Sequence, residues 1–142
     1  MNKTLYTIGY GNNTPEDFTK RLTDAGIAAV LDVRCRGSKS WSGNYGWGAA
    51  MKKLVGKPGV GYYVGAGLGN ECESLSTYAI WLEDHPERLV ESARQIGRSS
   101  ERTCLLCAER DAYKNGVVNC HRVYIADTLA KILGDEWSVE HL

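Results

Sequence analysis

Net charge is what this 142-residue chain lacks most plainly: 17 lysines and arginines balance 17 aspartates and glutamates. No global cationic field draws it to duplex nucleic acid or to an acidic membrane surface, so any charge recognition must be local. It also lacks an apolar run long enough to span a bilayer. The opening "MNKTLYTIGYG" has no apolar signal core and passes directly into a strand pattern. A cytoplasmic location is therefore expected. Five cysteines make an odd count, and without a signal they read as free thiols rather than disulfides. Repeats and low-complexity linkers are missing too. The length suits one domain over residues 1–142, large enough to bury its own core.

Two signatures are also absent. "GYGNNT" after the first strand lacks the third glycine of the dinucleotide fingerprint, which excludes an ordinary nicotinamide site. No Walker sequence is present either. The cofactor is left unassigned.

What is present is an alternation of strand and helix signals. "TLYTI" (Thr4–Ile8) is β-branched and aromatic and ends in a glycine-rich turn. The following stretch carries Thr14 as N-cap, Pro15 at the first helical position, Glu16 and Asp17 in the first turn and Gly26 as terminator. Phe18, Leu22 and Ala25 form its apolar face. "IAAVLDVR" (Ile27–Arg34) is an apolar run of strand length. Residues 35–48, rich in Gly and Ser with Trp41, Tyr45 and Trp47, read as a long loop. "AAMKKLVG" reads as a short helix and Gly61–Val64 as a strand. "SLSTYAIWLED" and "PERLVESARQI" read as helices, and "RTCLLCAE" (Arg102–Glu109) as a buried strand. Ile125, Leu129 and Ile132 recur at helical spacing from Cys120 to Leu133. "WSVEHL" suggests a last edge strand. The expected fold is an α/β three-layer Rossmann-like sandwich with a mainly parallel sheet.

Such sheets bind ligands beyond the carboxyl ends of their strands. That rule gathers Gly9, Tyr10 and Asn12 after the first strand, and Asp32 and Arg34 at the end of the second. It adds Cys107 and Glu109 after the strand at Cys104, and Cys120, His121 and Arg122 at the start of the last helix. Cys104, Cys107, Cys120 and His121 are zinc-type donors. However, the C-x2-C pair lies in a strand, where odd spacing sends the two side chains to opposite faces. Adjacent Cys120 and His121 are also expected to diverge, so zinc is not expected and no metal ligands are assigned. Cys120 near a helix N-terminus feels a field that favours an anion. Glu109 is the candidate acid/base. The competing reading makes Cys107 and Cys120 inert buried thiols, and Asp32–Arg34 an internal ion pair on one face. Trp41, with the neighbouring cations, is a candidate base-stacking residue.

The motifs "YTIGYGN", "LDVR", "GVGYYVGAGLGN", "CAE…CHR…IAD" and "VEHL" resemble the family called domain of unknown function 488, in the same order over nearly the whole chain. The resemblance implies a compact Rossmann-like α/β domain. By position it also implies signature residues Gly9, Asp32, Arg34, Cys107, Glu109, Cys120, His121, Arg122 and His141. Tyr10 stands where that family usually has His, and "YKNGVVN" reads as an added loop.

The leading expectation is an enzyme acting on a small anionic, nucleotide-like substrate. Cys107 or Cys120 is the nucleophile, Glu109 the acid/base, and Arg34, His121 and Arg122 the anion clamp. Gly9, Tyr10, Asn12, Asp32 and Trp41 complete the substrate site. The alternatives are a non-catalytic nucleotide or nucleic-acid binding module, and a Cys/His metal site.

Overall fold

The structure, a computed structural model, describes residues 3–34, 49–65, 68 and 74–142. Trp41, Tyr45 and Trp47, expected to stack bases, lie outside the described residues.

The first helix forms as its signals direct. α1 (Pro15–Asp24) is capped by Thr14, whose hydroxyl accepts from the Asp17 N–H at 3.1 Å. Phe18 and Leu22 are its buried residues, and Gly26 leaves the helix at φ +70°. On either side of α1 run β1 (Lys3–Gly9) and β2 (Ala29–Asp32). After them come α2 (Ala49–Gly56), β3 (Gly61–Val64), α3 (Leu75–Asp84), α4 (Glu87–Arg98) and β4 (Thr103–Cys107). The chain ends with the hairpin strands β5 (Tyr113–Lys114) and β6 (Val117–Val118), then α5 (Arg122–Leu133) and β7 (Trp137–His141).

The five long strands form one sheet in the order β3-β2-β4-β1-β7, and every adjacent pair is parallel. β4 therefore runs between β1 and β2, with Tyr6 opposite Cys104 and Val30 also opposite Cys104. A strand in that position is covered on both faces, as the apolar sequence "TCLLC" requires.

Side-chain alternation divides the core. Leu5, Leu31, Val33, Leu105 and Cys107 pack with residues of α3, α4 and α5. Tyr6, Ile8, Val30, Cys104 and Leu106 pack with residues of α1 and α2. This is the three-layer α/β sandwich of Rossmann-like type that the alternating signals predict. The expected separation of Cys104 from Cys107 holds, since the two lie in opposite layers. No helix among the described residues is long and apolar enough to cross a membrane.

The stretch read as a loop, "YKNGVVN", is instead a β-hairpin. Tyr113 pairs with Val118 and Lys114 with Val117. Asn115 and Gly116 turn the chain with φ of 52° and 76°, the paired positive angles of a tight hairpin turn.

Candidate thiol–imidazole site

β4 ends at Cys107, and α5 begins after Cys120 and His121. Parallel topology brings these two ends to the same edge of the sheet. His121 occupies the N-cap position of α5 but makes no side-chain cap. Its ring turns inward, and Nε2 donates to the Val33 carbonyl at 2.7 Å. A carbonyl can only accept, so that contact places the ring proton on Nε2. The Nδ1 lone pair then faces two sulfurs: Cys107 Sγ at 3.6 Å and Cys120 Sγ at 3.9 Å. The Tyr78 ring meets the imidazole edge-on at 5.2 Å between centroids, and the Tyr78 hydroxyl donates to the Leu68 carbonyl. Cys107, Cys120 and His121 are 4 %, 1 % and 7 % exposed.

The expectation that Cys120 and His121 diverge is thus corrected. Neighbouring residues at a helix start differ by roughly 100° in direction. The longer imidazole spans that angle and returns to the sulfur.

The two thiols are electrostatically unequal. The neighbouring Cys120 is the largest influence on Cys107 and lowers its pKa. Burial opposes this, while the Ala108 and Glu109 amides and the Arg122 charge reinforce it. Cys120 has its pKa raised by the neighbouring Cys107, with burial adding to the effect. Cys104 is raised by burial.

Asp32, Arg34 and Tyr10, also gathered by the sequence, share the edge of the sheet but not this face. Asp32 is fully buried, and Arg34 grips it with two contacts, Nε to Oδ1 at 2.9 Å and Nη2 to Oδ2 at 2.7 Å. The Tyr62 hydroxyl donates to Asp32 Oδ2 at 2.6 Å, and Arg34 Nη1 donates to the Tyr10 hydroxyl at 3.1 Å. Tyr10 packs with Phe18 in the α1–α2 layer, across the sheet from the thiols. The ion-pair reading of Asp32–Arg34 describes these contacts, and an anion clamp shared with His121 is not assembled here.

Arg122 is likewise committed. Its side chain is wholly buried, with Nε donating to Thr7 Oγ1 at 3.0 Å, Nη1 to the Glu109 carbonyl and Nη2 to the Arg110 carbonyl at 3.1 Å. It holds the loop after β4 against β1. Gly9 is where the two press closest. A Cβ there would sit 1.5 Å from the Glu109 carbonyl oxygen and 2.9 Å from Arg122 Nη1. Gly9 is therefore a close-approach position rather than part of an open substrate site. Gly9→Ala is expected to cost about 3 kcal/mol by overpacking, measurable as a lower denaturation midpoint.

Glu109, the expected acid/base, is exposed, unlike the buried thiols. It lines an open cleft of about 370 Å³ together with Asn12, Arg110, Asp111, Lys114 and Asn119. Ala108, the residue after Cys107, borders the same cleft. Asn12 is exposed there, at φ 59°.

Thr7, Tyr62, Tyr78 and the Val33 carbonyl are site residues that sequence reasoning missed. Tyr62 had a signal, since it lies in a strand beside β2 and alternates onto the Asp32 face. Thr7 links Arg122 to His141, whose Nδ1 lies 2.6 Å from Thr7 Oγ1. That hydroxyl accepts from Arg122 and keeps a proton and a second lone pair to meet His141 Nδ1. Burial lowers the His141 pKa from its ordinary 6.5; Arg122 lowers it further and Asp127 opposes. A depressed histidine favours the fold above its unfolded pKa, and that contribution is lost as pH falls through the folded value. The melting temperature is therefore expected to fall on acidification from about pH 7.5 to about pH 5, with a shallower fall in His141→Gln.

Comparison with protein-family models, with curated proteins and with solved structures finds no match to this chain.

Proposed function

We propose that this protein is a thiol-dependent enzyme in which Cys107 is the nucleophile and His121 its base. The observation that carries the reading is the orientation of His121, with Nε2 fixed by the Val33 carbonyl and Nδ1 open to both sulfurs. A base must hold its acceptor within reach of the proton it takes, and the opposite ring nitrogen sets the tautomer.

In the step proposed, the Cys107 proton passes to His121 Nδ1. Cys107 Sγ bonds to the electrophilic atom of the substrate as the bond to the leaving group breaks. His121 returns the proton to that leaving group. The Ala108 and Glu109 amides, which favour the anionic sulfur, support Cys107 over Cys120 for this role. The substrate is proposed to be small, anionic and nucleotide-like. Arg110, Lys114 and Asn12 in the cleft beside Ala108 support a polar ligand entering from that side.

The experiment is a thermal-shift screen of nucleotides and phosphorylated metabolites, followed by intact-mass measurement of the hits. A true ligand at 100 times its Kd stabilises the fold by about 2.7 kcal/mol. A substrate-derived mass addition on Cys107, absent in Cys107→Ser, is the expected result. Ligand binding unchanged in Cys107→Ser and Cys120→Ser, with no adduct on either thiol, would identify a non-catalytic binding module instead.

A further inference from the structure

We infer that Cys107, Cys120 and His121 also form a site for one zinc-type divalent cation, and that occupancy of this site withdraws Cys107 from chemistry. The inference rests on the donor geometry that carries the thiol reading and adds a mode of regulation to it.

Three soft or borderline donor atoms, Cys107 Sγ, Cys120 Sγ and His121 Nδ1, lie within 4.8 Å of one another. With Zn–S of about 2.3 Å and Zn–N of about 2.0–2.1 Å, the N···S edge of a tetrahedron is about 3.6 Å and the S···S edge about 3.8 Å. The two N···S separations here are 3.6 Å and 3.9 Å. A metal ion therefore needs only small side-chain shifts to reach all three donors.

The surroundings favour the same occupant. Metal-bound histidine usually donates its other ring N–H to an oxygen, which fixes the tautomer and aims the ligating nitrogen. His121 already does so through Nε2 to the Val33 carbonyl. Charge balance selects a divalent ion. Two thiolates and a neutral imidazole carry two negative charges, and a dication brings the group to zero. A neutral group suits donors that are at most 7 % exposed and packed among Leu68, Tyr78 and Ile125. Thiolate and imidazole together select zinc over magnesium or calcium, which take oxygen donors.

Three protein donors leave a tetrahedral ion one open position. Binding releases the two thiol protons to solvent, and no electrons move. With its lone pairs engaged by the metal, Cys107 no longer attacks an electrophile. Zinc occupancy and alkylation of Cys107 are then mutually exclusive.

The test titrates purified full-length protein with Zn(II) in competition with a chromophoric chelator, and follows Co(II) addition by absorption. The expected result is one Zn(II) per chain, thiolate-to-cobalt charge-transfer bands, and protection of Cys107 and Cys120 from iodoacetamide. Cys107→Ser, Cys120→Ser and His121→Gln should each weaken binding by more than the roughly 10–100-fold typical of losing a supporting contact. Cys104→Ala, in the opposite layer, should leave it unchanged. Circular dichroism of each variant separates a lost ligand from a lost fold, and His121→Gln preserves a side-chain donor for Val33. Failure to bind Zn(II), or binding that survives in folded Cys107→Ser and His121→Gln, overturns the inference. If Cys107 still alkylates selectively with Zn(II) present, the metal site is refuted and the thiol reading stands. If neither metal nor reagent engages the cluster, both fall.

Discussion

Arg122→Met is expected to destabilise the protein by about 3–5 kcal/mol, the cost of deleting one partner from a buried charged network. The substitution keeps much of the apolar stem but removes three hydrogen bonds. The Glu109 and Arg110 carbonyls would then be left without the donors that hold their loop to β1. The loss spreads through Thr7 to His141, so the pH dependence of stability should weaken together with stability itself. Chemical denaturation at two pH values measures both effects. Wild-type stability in Arg122→Met would show that the guanidinium is dispensable.

Asp32→Ala is expected to cost a similar 3–5 kcal/mol, for a different reason. Arg34 would remain 3 % exposed while losing both contacts to its carboxylate. The Tyr62 hydroxyl would also lose its acceptor. The double variant Asp32→Ala/Arg34→Met should recover part of the loss, because a buried guanidinium deprived of its carboxylate is worse than no charge there. Denaturation of the single and double variants gives the coupling directly, and strictly additive losses would contradict a buried pair.

These effects show which layer of information the sequence carried. α1 was legible from Thr14, Pro15, Glu16 and Asp17, because capping and dipole interactions are local. The opposite placement of Cys104 and Cys107, and the shared face of Asp32 and Arg34, followed from the two-residue period of a strand. The insertion of β4 between β1 and β2 was not legible, since strand order is decided by packing between distant segments. Side-chain alternation then divides the residues at one edge between two faces, with Arg34 and Tyr10 across the sheet from Cys107 and Cys120.

Arg122 was marked by its position beside His121, but two of its acceptors are backbone carbonyls, which no residue type advertises. The same holds for the Val33 carbonyl that orients His121. The hairpin at Asn115–Gly116 is a different matter. An Asn-Gly pair between Tyr-Lys and Val-Val is a turn signal in plain view, and reading it as a loop ignored local chemistry that was present.

The central claim is that His121 makes Cys107 chemically distinct from the other two described thiols. Peptide-resolved iodoacetamide labelling of the native, metal-free protein at neutral pH tests it most directly. The account predicts that Cys107 labels ahead of Cys104 and Cys120, and that His121→Gln slows Cys107 by about a hundredfold, the lower end of what general-base assistance supplies. Equal, slow labelling of all three thiols in both proteins would contradict it.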